Sequence, residues 1–183
     1  MQRPITYEYL RELFDYDDGA GVLIWKSRPI YMFRETSRSA YHNSTIWNGR
    51  YAGQPAGAAN NKGYIHIKVD GRSLAAHRLI WLHQYGEPPS LSIDHIDGNK
   101  SNNRLSNLRQ ATRSQNAANT SCTKCNSSGF RGVVFNKQTN SYMARITKDG
   151  RSNYLGLFDT INEAKAAYER AAVMMYGEFA RTS

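Results

Sequence analysis

The apolar segments of this chain are all short, and this property limits its fold more than any other. The longest runs have only a few residues, as in Leu79-Ile80-Trp81-Leu82. A helix that crosses a bilayer needs about 20 consecutive apolar residues, so we expect no membrane span. No apolar stretch follows Met1, and we expect no secretory signal. The 183 residues suffice for one medium domain or for two to three small modules.

The chain is strongly basic, which points to an anionic partner. Lys and Arg number 24 against 15 Asp and Glu, the net charge is +9, and most of this surplus lies in residues 61–183. Such a chain suits a polyanion, and nucleic acid is the commonest one. Charge alone does not separate a nucleic-acid-binding protein from a soluble protein that is merely basic.

The only two cysteines, Cys122 and Cys125, lie in a small polar segment over 120–128. One pair is not a disulfide framework, so the chain is typical of a cytosolic protein. The Cys-x-x-Cys spacing is half of a zinc site, but no matching Cys or His pair follows it. We therefore predict free thiols in a linker rather than zinc ligands.

Local patterns predict several elements in the N-terminal half. Apolar spacing predicts a helix over 5–14, and residues 22–25 are typical of a strand. Residues 27–62, rich in Ser, Asn, Gly and Tyr, show no period, so we expect a long loop that could contribute DNA contacts. The next predicted elements are a strand over 64–69, a turn at Asp70-Gly71, a strand over 72–75 and a helix over 77–85.

The densest polar chemistry lies between Ile93 and Asn116. Its residues are Ile93-Asp94-His95-Ile96-Asp97-Gly98-Asn99, then Asn102, Asn103, Asn107-Leu108-Arg109 and Ser114-Gln115-Asn116. A carboxylate beside a histidine, with another oxygen donor on a helix, suits a hard divalent cation, and a neutral histidine can accept a proton from water. Residues of these types are also typical of turns, and spacing alone does not separate the two interpretations. An EF-hand is discounted because its alternating ligands and terminal Glu are missing.

This arrangement resembles the ββα-metal motif of HNH endonucleases, in the phage-type homing subgroup whose last His is replaced by Asn. The resemblance covers residues 63–119 and includes the run His77-Arg78-Leu79-Ile80-Trp81. It implies that His95 is the general base and that Asp94 and Asn116 hold the metal. It also implies that Asn107 pins the hairpin loop through backbone hydrogen bonds. His77 is a further candidate, although we favour a partly buried, hydrogen-bonded histidine there.

The mechanism implied by the resemblance is metal-assisted phosphodiester hydrolysis. His95 activates a water, and one divalent cation, Mg²⁺ or alternatively Mn²⁺, stabilises the charge at the scissile phosphate. The products are expected to carry 5′-phosphate and 3′-hydroxyl ends. The expected function is a DNA endonuclease, as a free-standing phage homing enzyme. The alternatives are a non-enzymatic, sequence-selective DNA-binding protein with a degenerate nuclease scaffold, and a protein that binds or cleaves RNA.

Three short strands and one helix are predicted after the polar linker. The strands cover 130–135, 141–147 and 153–158, and Thr160 with Glu163 forms a capping box before a helix that ends at Gly177. Residues 128–183, with Phe130-Arg131-Gly132-Val133 and Tyr154-Leu155-Gly156-Leu157-Phe158, resemble the Apetala/ethylene-response-factor DNA-binding domain. The resemblance implies a sheet, backed by one helix, that lies in the major groove. We expect Arg131 and Arg145 to contact DNA.

The predicted fold class is α+β, a ββα-metal nuclease core followed by a small three-stranded antiparallel sheet with a helix. We expect residues 1–62 to form an N-terminal helix, strand and loop, 63–120 the nuclease domain, 121–127 a linker and 128–183 the DNA-binding domain. The last of these should fold and act as a detachable unit. The expected partner is double-stranded DNA, with no membrane and no obligate protein partner. We expect a monomer in the cytoplasm, that of the host cell if the chain is phage-encoded.

Overall fold

The computed structural model describes residues 4–120 and 128–181. The chain divides into two compact units, residues 1–109 and 110–183. The predicted linker, 121–127, with Cys122 and Cys125, lies outside the described residues. No helix in the described part of the chain is long and apolar enough to cross a membrane.

The first unit begins with a helix and a hairpin. The helix predicted over 5–14 is present as α1 (Tyr7–Leu13), and it starts where the Thr6 side chain accepts a hydrogen bond from Tyr9 N. Strands β1 (Phe14–Asp17) and β2 (Val22–Trp25) pair antiparallel. The strand over 22–25 is confirmed, and β1 is an element that was not predicted from the sequence.

The long loop expected over 27–62 is wrong. This segment contains a 3₁₀ turn (Ile30–Met32), helix α2 (Ala40–Tyr51) and the short strand β3 (Ala58–Ala59). Ser39 caps α2 by accepting a hydrogen bond from His42 N, and Trp47 packs edge-on against Trp25 at 5.3 Å. Trp47 and two hydrogen bonds between the Asn48 side chain and the backbone of Arg28, rather than an apolar stripe, hold α2, which explains why the sequence shows no helical period.

A three-stranded sheet and a helix complete the core of the first unit. The elements are β4 (Ile65–Val69), β5 (Arg72–Ala75) and α3 (Ala76–Tyr85), with sheet order β3-β4-β5. Asp70 and Gly71 both have positive φ, as a two-residue hairpin turn requires. Ile67, Val69 and Ile80 enter the same buried cluster as Leu10 and Phe14. The predicted hairpin and helix are confirmed.

The polar constellation folds as two strands and a helix. These are β6 (Ser92–His95), β7 (Leu108–Ala111) and α4 (Arg113–Ala118), with a 3₁₀ turn (Leu105–Asn107) before β7. β6 and β7 form a two-stranded sheet. Thr112 and Gln115 form a capping box at the start of α4.

The rest of the second unit is a sheet backed by a helix. Strands β8 (Val133–Asn136), β9 (Ser141–Lys148) and β10 (Arg151–Phe158) form an antiparallel sheet of order β10-β9-β8, followed by α5 (Ile161–Tyr176). The first strand begins three residues later than the predicted 130–135. The capping box at Thr160 and Glu163 is confirmed. The α+β class, with a three-stranded sheet and helix at the C-terminal end, is also confirmed.

Candidate functional site

Asp94 and His95 end strand β6, and both are buried, each with 4% of its surface exposed. Buried ionisable side chains are rare unless they are paired or functional. The hairpin core beneath them includes Ile93 and Leu108. The two side chains are therefore held by a packed scaffold rather than by a surface loop.

The imidazole of His95 is oriented by an amide. Its Nε2 lies 3.0 Å from Oδ1 of Asn103, which is itself buried. The Asn103 amide nitrogen donates to the carbonyl of Ser101, which fixes the oxygen toward His95. Because an amide oxygen only accepts, Nε2 carries the hydrogen, and Nδ1 is the basic nitrogen of the neutral ring.

Two further rings surround His95. His77 lies edge-on to it with centroids 5.2 Å apart, and Tyr64 lies at 6.0 Å. Burial, and secondly the charge of His95, lowers the pKa of His77 to about 4. Among the described residues, His77 Nδ1 has no hydrogen-bond partner. His77 therefore remains neutral near pH 7 and places no positive charge beside His95.

Asp94 forms a buried ion pair with Arg109. Its Oδ2 accepts from both Nε and one terminal nitrogen of Arg109, each at 3.0 Å, and the two side chains are 5% and 12% exposed. A guanidinium suits a buried carboxylate because its positive charge offsets the negative charge and its planar N–H groups fix the orientation of the carboxylate. Arg109 belongs to the motif on the sequence, but no role had been predicted for it.

Asn107 holds the loop between β6 and β7. Its Oδ1 accepts from Asp97 N at 3.0 Å, and its Nδ2 donates to Asp97 Oδ1 and to the carbonyl of Asn102. Burial raises the pKa of Asp97, but hydrogen bonds from Asn102, Asn99 and Asn107 outweigh it and lower that pKa overall. The Asp97 carboxylate is thus an ionised hydrogen-bond acceptor within the loop between β6 and β7.

Asn116 lies on α4 and is half-buried. Its backbone continues the helix, with N donating to the carbonyl of Thr112 at 2.9 Å. In the described parts of the chain, no cluster of three or more His, Cys, Asp or Glu could hold a metal ion. A cation site built on Asp94 would need an amide oxygen, water or phosphate to complete it, and these hard oxygen donors fit Mg²⁺ or Mn²⁺.

The two arginines expected on the DNA-binding face differ in position. Arg145 is exposed on β9, where it pairs with the exposed Tyr154 of β10. The opposite face of β9 carries Ala144 and Ile146, which are buried against the helix side. Arg131 instead directs its guanidinium at the end of α4, donating to the carbonyls of Ala117, Ala118 and Thr120.

Comparisons with known proteins agree with this division of the chain. Residues 74–118 match the family described as HNH endonuclease, and residues 128–178 match the AP2 domain. The chain is 37% identical over 116 residues to an uncharacterized HNH endonuclease of Acanthamoeba polyphaga mimivirus, covering 62% of this chain and 59% of that protein.

Two other relatives match different parts of this chain. The chain is 33% identical over 106 residues to Protein 3.8 of Escherichia phage T7, covering 57% of this chain and 87% of that protein. It is 45% identical over 51 residues to an AP2-like ethylene-responsive transcription factor of Arabidopsis thaliana, covering 28% of this chain and 10% of the plant protein. No solved structure matches the chain.

Proposed function

We propose that this chain, which carries an HNH endonuclease domain over residues 74–118 and an AP2 domain over residues 128–178, is a DNA endonuclease that hydrolyses phosphodiester bonds with His95 as general base. The observation that carries the proposal is the buried hydrogen bond between His95 Nε2 and Asn103 Oδ1. This bond leaves Nδ1 as the basic nitrogen and orients it. A buried, oriented imidazole next to a carboxylate is typical of proton-transfer sites.

In the proposed reaction, His95 Nδ1 accepts a proton from a water as the water oxygen attacks phosphorus. The bond between phosphorus and the 3′ oxygen breaks, and the departing oxygen takes a proton from solvent. The products then carry 5′-phosphate and 3′-hydroxyl ends. As the imidazole becomes charged, its Nε2–H bond to Asn103 strengthens, because hydrogen bonds from charged donors are stronger than those from neutral ones.

HNH nucleases typically use a divalent metal ion, and we propose that Asp94 and Asn116 hold it. When bound, Mg²⁺ or Mn²⁺ supplies Lewis-acid stabilisation of charge at the scissile phosphate and the 3′ oxygen. Arg109 supports the Asp94 carboxylate by pairing with one of its oxygens, Oδ2. This pairing orients the carboxylate in the same way that hydrogen-bonding partners orient metal-binding carboxylates in other proteins.

Double-stranded DNA is the proposed substrate, and the AP2 domain is proposed to hold it. The exposed face of the sheet offers Arg145 for phosphate or base contacts and Tyr154 for an aromatic contact. The viral and phage origins of two relatives support a free-standing phage homing endonuclease that acts as a monomer in the host cytoplasm. One nuclease motif per chain favours nicking over double-strand cleavage by a single molecule.

Incubation of the purified chain with supercoiled plasmid, phage DNA and host DNA in Mg²⁺ tests this function. We expect nicked products with ligatable 5′-phosphate and 3′-hydroxyl ends. His95→Ala should lower the cleavage rate roughly 10²- to 10⁴-fold, the usual contribution of a general base, and leave DNA affinity unchanged. His42→Ala, which alters an exposed histidine on α2, should cut at the wild-type rate. DNA binding without cleavage by the wild type would favour the non-enzymatic alternative.

A further inference from the structure

Helix α4 is too short to be stable by itself. It has six residues, whereas isolated helices shorter than about 12–15 residues are marginal in water. Its position therefore depends on what packs against it. Since Asn116 lies on this helix, whatever holds α4 also sets the position of that side chain.

The apolar side of α4 joins the core of the C-terminal sheet and helix. Ala118 and Ala111, at the end of β7, belong to the same buried cluster as four residues from α5 and the turn after it. Those four residues are Tyr168, Ala172, Tyr176 and Phe179. The motif helix and the C-terminal module thus share one hydrophobic core.

Hydrogen bonds fix the first turn of α4 to the same module. Ser114 Oγ accepts from the backbone nitrogen of Asp149 at 3.1 Å, in the turn between β9 and β10. It also lies 3.3 Å from the hydroxyl of Tyr176. Because that hydroxyl donates to the carbonyl of Thr147, Ser114 is the donor in its contact with Tyr176.

Arg131 holds the other end of α4. Its guanidinium donates to the carbonyls of Ala118 at 2.7 Å, of Thr120 at 2.8 Å and of Ala117. The last carbonyls of a helix lack partners within the helix and carry partial negative charge, so a cation there stabilises it. The next residue must be glycine, because Gly132 has a φ of +68° and a Cβ there would lie 2.3 Å from the Tyr168 ring.

We infer that the C-terminal module holds helix α4 in place, with Arg131 as the positioning residue that sets α4 and, through it, Asn116. The inference rests on the proposed function for the metal role of Asn116. It replaces the expectation that residues 128–183 fold as a detachable unit, and it leaves the proposed DNA contact of Arg145 unchanged. It also assigns the Arg131 guanidinium to α4 carbonyls rather than to DNA.

The test compares Arg131→Gln, Arg131→Lys and Ser114→Ala in the full chain. Mn²⁺ affinity is measured by electron paramagnetic resonance without DNA, and hydrogen exchange is measured over 113–118. DNA affinity is measured in excess chelator. Arg131→Gln should weaken Mn²⁺ binding about 10- to 100-fold, as loss of support for a metal ligand usually does. It should also speed hydrogen exchange in α4 and leave DNA affinity within about twofold of the wild type. Arg131→Lys should show the same changes at smaller size.

Controls separate the possible failures. Arg170→Ala removes an exposed arginine from α5 and should change none of these quantities. If Arg131→Gln does not fold, Ser114→Ala should show the same pattern at smaller amplitude. Unchanged hydrogen exchange and Mn²⁺ affinity in Arg131→Gln, together with weaker DNA binding, would overturn the inference.

A separate variant tests the proposed metal role of Asn116. If Asn116→Ala binds Mn²⁺ like wild type, that metal role fails. Faster exchange in Arg131→Gln would then still support the structural half of the inference.

Discussion

His95 Nε2 and Asn103 Oδ1 lie 3.0 Å apart, and both side chains are buried. The two residues are eight positions apart, at the end of β6 and in the loop that follows. The contact therefore depends on the closed shape of that loop, which Asn107 fixes through Asp97 and Asn102. The proposed general base is therefore oriented by an amide rather than by a carboxylate.

Asn103→Ala should lower the single-turnover cleavage rate by roughly 10- to 100-fold. This corresponds to the loss of about 1.5–3 kcal/mol, the usual contribution of a hydrogen bond to a charged group. DNA affinity should not change, because Asn103 is buried. Asn103→Asp keeps an oxygen acceptor and should recover part of the rate. Equal rates for the wild type and Asn103→Ala would show that Asn103 does not support His95.

Arg109→Ala should destabilise the folded protein by about 3–5 kcal/mol, because it leaves the buried Asp94 carboxylate without its ion-pair partner. Urea unfolding, followed by circular dichroism, measures the free energy of unfolding. Asp15→Ala is the matched control, since it breaks an exposed pair with Lys26 and should cost less than about 1 kcal/mol. A loss for Arg109→Ala no larger than that of the control would mean that the Asp94 carboxylate does not require this partner.

The sequence predicted the elements that have a clear period or a clear turn signal. The hairpin around Asp70-Gly71, the helix ending before Gly86 and the capping box at Thr160 all depend on local chemistry, and all are present. Helix α2 was missed because its main anchor is Trp47 against Trp25, a contact between residues 22 positions apart. No local pattern reports such a contact.

The sequence shows which polar residues the motif contains, but not which of them contact one another. The motif contains Asn102, Asn103 and Asn107, and the sequence does not reveal that Asn103 faces His95 while Asn107 faces Asp97. Arg131 illustrates the same point, because its place in the strand predicted over 130–135 led us to expect a contact with DNA. The residue precedes β8 and contacts the helix that ends at Ala118. Long-range packing determines both outcomes.

The stability of the first unit should fall as pH decreases from about 6.5 to 4. The folded-state pKa of His77 is about 4, below its ordinary value of 6.5. The unfolded chain therefore binds more protons in this range, so protonation favours unfolding by up to about 3 kcal/mol at pH 4. Urea unfolding at several pH values should show a smaller decrease for His77→Phe. A residual slope is expected from His83, whose pKa burial also lowers. Identical slopes for both proteins would contradict the assignment to His77.

Arg145→Ala should weaken binding to duplex DNA and reduce its dependence on salt. Arg145 is exposed on β9 beside Tyr154, and each phosphate contact contributes about 0.9 to the slope of log affinity against log salt concentration. The slope should therefore decrease by about 1, and affinity at low salt by roughly tenfold. Fluorescence anisotropy between 50 and 200 mM salt, a range typical of such measurements, gives both quantities.

Arg170→Ala is the control for this prediction, because it removes the same charge from α5, which packs on the opposite face of the sheet. If both variants lose the same affinity, net charge alone explains the loss. A loss confined to Arg145→Ala locates the DNA on the exposed face of the sheet.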